Sequence, residues 1–177
     1  MLVETLPSMI VRYPDPRLRR KCEPISVFDD SLAALVERMF QIMLRDRGVG
    51  LAAPQVGLSC SLFVANPTGN PQDNAVYINP KLSELVGSVE GEEGCLSFPD
   101  VRANIRRARR CRIQAQDLAG NPIDQIGEDL VARIWQHEMD HLDGRLIVDH
   151  MNFADRLANK KSLSDLEASY RKRAKRR

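Results

Sequence analysis

Two histidines and a glutamate in the last third of the sequence have the spacing of a metal site. Residues 137–141 read HEMDH, an HExxH motif, and side chains four apart lie on the same face of a helix. His137 and His141 could therefore bind one metal ion, with Glu138 placed to act as a general base on water activated there. Since the chain contains only three histidines, this spacing favours a metal site over coincidence.

A catalytic metal also needs a third protein ligand and an open coordination position. In the metzincin zinc proteases that ligand follows HExxH, but the corresponding position here is Ile147, which cannot bind a metal. Glu167 lies in a basic segment and is a poor substitute. His150 is a candidate by residue type, although a surface or capping role is the simpler expectation for it.

An upstream cysteine offers a thiolate ligand. Cys95 lies in the run EGCLS at residues 93–97. The other three cysteines are expected to be buried structural residues, and none of the four forms a CxxC pair. A chain of 177 residues does not need disulfides to fold, so the cysteines indicate a reducing compartment and a cytoplasmic protein.

The elements that must position these groups are predicted from apolar periodicity. Helical spacing predicts helices over residues 31–47 and 129–143. Short apolar runs predict strands at 61–65, 75–78, 82–89 and 108–116, and residues 48–57 are expected to be an irregular loop. Strands flanked by two separate helices predict an α+β fold with antiparallel or mixed sheets. The arginines expected on the wet face and edge of a strand are Arg106, Arg107, Arg109, Arg110 and Arg112.

The loop after the first helix matches a relaxed dinucleotide-binding fingerprint, GVGLAA at residues 48–53. That fingerprint requires a strand before the loop and a helix after it. Here a helix is predicted before the loop and Pro54 follows it, so we expect no nucleotide cofactor.

The composition indicates a soluble globular protein without a membrane partner. Apolar residues make up 43% of the chain and charged residues 28%. No run approaches the roughly 20 apolar residues of a spanning helix, and residues 1–10 lack the pattern of a signal peptide. Residues 160–177 carry a local charge of +6 in a chain whose net charge is +2. This basic segment is either a solvated helix face or a site for an anionic partner.

Three segments together resemble the signature motifs of the peptide deformylase family, in the family's order. They are GVGLAAPQ at residues 48–55, EGCLS at 93–97 and QHEMDHLDG at 136–144, and the resemblance extends over roughly residues 10–150. It implies antiparallel strands around a central HExxH helix, in a catalytic domain at residues 1–150 followed by a basic helical extension at 151–177. It also implies removal of the N-formyl group from the N-terminal methionine of newly synthesised polypeptides.

The resemblance assigns roles to individual residues around the metal. The metal would be Fe²⁺ in the cell, often exchanged for Zn²⁺, Ni²⁺ or Co²⁺. Glu138 would take a proton from water and pass it to the leaving amine. The side-chain amide of Gln55 and the backbone N–H of Leu96 would stabilise the oxyanion. The metal ligands implied by the resemblance are Cys95, His137 and His141.

The resemblance also implies how a peptide would bind. It would lie as an added strand beside residues 48–50, where a side chain on Gly50 would block its approach. Arg133 stands where some family members have an aliphatic residue, and with the bulky Trp135 it leaves the shape and rim charge of the methionine pocket open, but not the reaction. The basic tail could dock on the ribosome near the peptide exit. The residues implied to line the pocket and its rim are Val49, Leu130, Ile134 and Arg102.

Two other functions fit parts of the pattern. A cysteine hydrolase with Cys95 as nucleophile and a histidine as base would leave Glu138 and the second HExxH histidine unexplained. A ribosome- or RNA-associated module with a purely structural metal would need a fourth protein ligand, and no motif places one.

Overall fold

The computed structural model describes residues 8–175. Short 3-10 helices cover Pro16–Arg19, Ala53–Val56 and Pro71–Asp73. The other elements, in chain order, are α1 (Asp30–Arg45), β1 (Gly50–Ala52), β2 (Leu62–Ala65), β3 (Ala75–Val86), β4 (Val89–Cys95), β5 (Phe98–Arg107), β6 (Arg110–Gln116), β7 (Pro122–Glu128), α2 (Asp129–Leu142), α3 (Ile147–His150), α4 (Phe153–Ala158) and α5 (Lys160–Ala174).

The strands form two antiparallel sheets, so the predicted α+β class is confirmed. The larger sheet has the order β1-β2-β3-β6-β7, and β4 pairs with β5 as a separate hairpin. Helix α2, which contains the HExxH motif, packs against β1, β6 and β7. No helix among residues 8–175 is both long enough and apolar enough to cross a membrane.

Helix α1 forms because its apolar residues recur at helical spacing and one face is buried. Asp29 caps its start by accepting a hydrogen bond from the Leu32 N–H at 3.0 Å. The helix ends before the predicted residue 47 because Arg47 adopts a left-handed φ of 57°. The buried residues of this face are Leu32, Leu35, Val36, Met39, Ile42 and Met43.

Two strand predictions were wrong in their extent. The run at residues 75–78 and the first part of the run at 82–89 form one strand, β3, because the break at Asn79 is a bulge and not a turn. The second run ends early, since β3 stops at Val86 and Val89 begins β4. Asn79 has a φ of 52°, and its side-chain amide donates to the carbonyl oxygen of Ile25 and to Oε1 of Gln116, each at 2.8 Å. Residues 48–57 are not an irregular loop, since they contain β1 and a 3-10 helix.

The placement of Arg107 on a wet strand face was also wrong. Along β5 every second residue from Val101 to Arg107 is buried, and Arg107 is only 7% exposed. Its guanidinium faces two buried carboxylates, which compensate for the loss of water.

The C-terminal helices pack against the hairpin. Leu163 and Leu166 of α5 contact the apolar cluster that contains β5 residues. The Asn159 side chain hydrogen-bonds both backbone groups of Arg102, at 3.2 Å to N and 2.7 Å to O. The Tyr13 hydroxyl donates to Oε1 of Glu167 at 3.2 Å. These contacts fix α5 beside β5.

Candidate active site

One thiol and two imidazoles meet where the β4–β5 hairpin approaches α2. Cys95 ends β4, and His137 and His141 lie one turn apart on α2. One ligand atom from each residue lies within 4.8 Å of the others, and Sγ of Cys95 is 3.3 Å from Nε2 of His141. A thiolate with two imidazoles suits a divalent transition metal such as zinc or ferrous iron.

Buried polar atoms beside this cluster lack partners. Oε2 of Glu138 finds no hydrogen bond within residues 8–175, as expected for a site that is completed by a bound group. Nδ1 of His141, the ring nitrogen that does not face Cys95, also finds none. Burial, and then the charge of His137, hold the pKa of His141 well below its usual 6.5, so its imidazole is in the neutral form that binds metals. These observations fit a metal site.

Glu138 occupies a pocket suited to a general base. Its side chain is 3% exposed, and burial raises its pKa to about 7 even though the charge of His137 opposes this shift. Gly50 makes room for it, because a Cβ at Gly50 would overlap Oε1 of Glu138 and lie 2.8 Å from its Cδ. The glycine is therefore required by the carboxylate of Glu138 itself, in addition to the substrate approach implied by the resemblance.

The carboxylate of Glu93 orients His137. Oε2 of Glu93 lies 2.9 Å from Nδ1 of His137, which leaves the other ring nitrogen for a metal. Arg107 donates to both oxygens of Glu93, at 2.9 and 3.0 Å. Burial alone would raise the pKa of Glu93, but the hydrogen bonds from His137 and Arg107 hold it far below its usual 4.5. The position of Glu93 directly before Gly94-Cys95 was the only sequence signal for this role.

A second carboxylate extends the network away from the cluster. Arg107 also donates to Oδ2 of Asp140 at 2.6 Å, and Nε2 of His150 lies 2.8 Å from the same oxygen. His150 therefore lies in this network, outside the cluster of ligand atoms. Sequence reasoning missed Asp140 because nothing in the motif distinguishes it from an exposed helix residue.

Arg133 is tied to the hairpin rather than to solvent. Its guanidinium donates to Oε1 of Glu93 at 2.7 Å and to the carbonyl oxygens of Ile105 and Val89 at 2.9 and 3.0 Å. A Cβ at Gly91 would lie 2.9 Å from Nη2 of Arg133, so Gly91 leaves space for it. Arg133 lines the cleft, but its side chain is 13% exposed and its charge is paired with Glu93.

Trp135 points away from the cluster. It is 2% exposed and packs edge-on against Tyr77, with ring centroids 5.5 Å apart. A Cβ at Gly127 would lie 2.5 Å from its ring. Trp135 therefore belongs to the core between α2 and the large sheet and does not shape the cleft.

Gln55 and Leu96 supply hydrogen-bond donors beside the cluster. Oε1 of Gln55 accepts from the Ala52 N–H at 2.8 Å, which turns Nε2 towards Sγ of Cys95, 3.5 Å away, and Oγ of Ser97, 3.3 Å away. The Leu96 N–H, in the turn of the hairpin, finds no acceptor among residues 8–175. Nε2 of Gln55 therefore already donates within the site, whereas the Leu96 N–H is unpaired among these residues.

A cleft of about 1090 Å³ contains this site. Along one side runs β1, the terminal strand of the large sheet, whose position allows an extended peptide to add to it. The structure brings to this cleft all the residues that the resemblance implied for substrate binding, namely Val49, Gly50, Arg102, Leu130 and Ile134.

The chain is similar to proteins of one family over most of its length. The family model described as polypeptide deformylase matches residues 7–157. A peptide deformylase of Acidobacterium capsulatum is 45% identical over 141 residues, which are 78% of this chain and 83% of that protein. The crystal structure of Arabidopsis thaliana peptide deformylase 1B with an inhibitor has a TM-score of 0.89 at 41% identity, covering 94% of this chain and 93% of that one. A Legionella pneumophila peptide deformylase structure has a TM-score of 0.86 at 38% identity, with coverages of 92% and 98%.

Proposed function

Because the chain belongs to the peptide deformylase family, it is a metal-dependent hydrolase that removes the formyl group from nascent peptides, and we propose that Cys95, His137 and His141 hold its metal ion. The supporting observation is the convergence of their ligand atoms within 4.8 Å in a cleft that also contains Glu138. The ion proposed for the cell is Fe²⁺, with Zn²⁺, Ni²⁺ or Co²⁺ able to replace it. When bound, the ion supplies Lewis acidity that lowers the pKa of water and polarises a carbonyl.

The chain's own residues move the proton and stabilise charge. Glu138, with a pKa raised to about 7 by burial, accepts a proton from the attacking water near neutral pH and delivers it to the leaving amine nitrogen. The Gln55 amide, fixed by its bond to Ala52, and the free Leu96 N–H donate to the developing oxyanion.

The substrate is bound as an extended strand along β1, beside Gly50. Val49 and Leu130 are 44% and 49% exposed, and with Ile134 they give the cleft an apolar wall for a methionine side chain. Arg102 lies at the rim of this pocket.

Formate release tests this proposal. Protein loaded with Fe²⁺ without oxygen is expected to deformylate formyl-Met-Ala-Ser, and Glu138→Ala is expected to lose most of that activity while it keeps its metal. A chelator should abolish the activity, and Fe²⁺ or Ni²⁺ should restore it. Activity that survives chelation but is lost on alkylation of Cys95 would instead support a cysteine hydrolase.

We further propose a cytoplasmic enzyme with a catalytic domain at residues 1–150 and a basic extension at 151–177 that contacts the ribosome. The +6 charge of residues 160–177 supports this proposal. The described residues do not include residues 1–7 of the proposed domain or Arg176 and Arg177 of the extension. Deletion of residues 160–177 should abolish co-sedimentation with ribosomes at low salt. Undiminished co-sedimentation of the folded, truncated protein would contradict the proposal.

A further inference from the structure

Six arginines among residues 8–175 line the cleft, and two of them, Arg45 and Arg133, are paired with Asp46 and Glu93. The other four come from four separate segments. They are Arg12 in the N-terminal segment, Arg47 after α1, Arg102 on β5 and Arg173 near the end of α5. No carboxylate within residues 8–175 is at ion-pair distance from any of them.

The acidic residues of the cleft do not cancel this charge. Asp46 is bound by Arg45 at 2.8 Å, and Glu93 is neutralised by the cations around it. Glu92 and Asp100 have no cationic partner within the described part of the chain. Apart from the buried Glu138, the unpaired charged side chains at the mouth of the cleft are therefore four positive and two negative. The sequence outside residues 160–177, in contrast, carries a net charge of −4.

Helix α5 contributes to this mouth as a packed element and not as a free arm. Its Leu163 and Leu166 contact the cluster that contains β5 residues, and its Glu167 is held by Tyr13. Arg173 lies between one and two turns beyond Glu167 and borders the cleft. Part of the charge of the basic segment therefore lies where the substrate enters.

We propose that this cationic mouth, formed by Arg12, Arg47, Arg102 and Arg173, selects formylated peptides with acidic side chains in the residues that follow the methionine. The inference rests on the proposed substrate binding in the same cleft. Because all four arginines are exposed, each contact should improve binding by only about two- to fivefold, and salt should screen it.

Matched peptides test the inference with the full-length, metal-loaded enzyme. The substrates are formyl-Met-Ala-Glu-Glu, formyl-Met-Ala-Gln-Gln and formyl-Met-Ala-Lys-Lys, all amidated at the C-terminus. We expect kcat/KM to fall in that order through KM, by about threefold or more at each step at low ionic strength, and the differences to shrink in about 0.5 M salt. Arg173→Gln should reduce the preference for Glu over Gln.

Arg171→Gln is the matched control. Arg171 lies on the same helix but faces Glu167 at 3.9 Å and does not line the cleft, so this variant should keep the full preference. Equal kcat/KM for the three peptides, or the same loss in both variants, would overturn the inference while formate release continued. Hydrolysis of none of the peptides would refute the proposed function itself, and the preference with it.

Discussion

Replacement of Gly50 by alanine should displace the carboxylate of Glu138. The new Cβ would overlap Oε1 and lie 2.8 Å from Cδ and 3.0 Å from Cγ, all closer than ordinary non-bonded contact. Glu138 is 3% exposed, so it cannot simply turn into solvent. Its carboxylate has to shift by on the order of 1 Å, and a misplacement of that size costs about 10²-fold in rate.

A double-mutant cycle isolates this contact. In the wild-type background Gly50→Ala should lower kcat about 100-fold and destabilise the fold by about 1–3 kcal/mol through overpacking. In a Glu138→Ala background the overlap is absent, so the same substitution should cost much less stability. The assays are formate release at saturating peptide, metal content, and thermal unfolding of all four proteins.

The result also separates two reasons for the glycine. If Gly50 served only the approach of the peptide, alanine would raise KM and leave kcat and the unfolding temperature nearly unchanged. Equal destabilisation by Gly50→Ala in the presence and absence of the Glu138 side chain would refute the steric argument.

Three further predictions concern the carboxylate of Glu93. Glu93→Gln should weaken metal affinity about 10- to 100-fold by releasing His137, as measured by competition with a chelator, and unchanged affinity would contradict the orienting role. The pKa of Glu93 in the folded protein is lowered below 4.5, so below this pH the unfolded chain takes up a proton that the folded protein does not. The free energy of unfolding of the metal-free protein should therefore fall as the pH drops below about 4.5. In denaturant titrations, Glu93→Gln should reduce this dependence on pH. Arg107→Met should cost about 3–5 kcal/mol, because Glu93 and Asp140 would be left buried with a shared cation missing, and a loss under 1 kcal/mol would count against a buried network.

The elements with strong periodicity were predictable from the sequence. Helices α1 and α2 follow their apolar spacing to within two residues, because one face of each meets the core. The β4–β5 hairpin was largely missed, since β4 reads VEGEEGC and has few apolar positions. Its strands pair with each other and bury an ion pair. Strand β5 does alternate, since Val101, Ala103 and Ile105 are buried between exposed polar residues, and this pattern would have identified it.

For the site, the sequence by itself determined which groups could do chemistry. Two imidazoles four apart on a helix must share a face, and the three motifs indicated Cys95 as their companion. Only the tertiary structure decided which charges are buried and what they face. Arg107 and Arg133 look like surface residues in the sequence, yet the fold places both against Glu93. Arg173 belongs to a tail in sequence and to the cleft in space. Whether a charged side chain is solvated or paired depends on partners that lie far away in the chain, and the local sequence does not identify these partners.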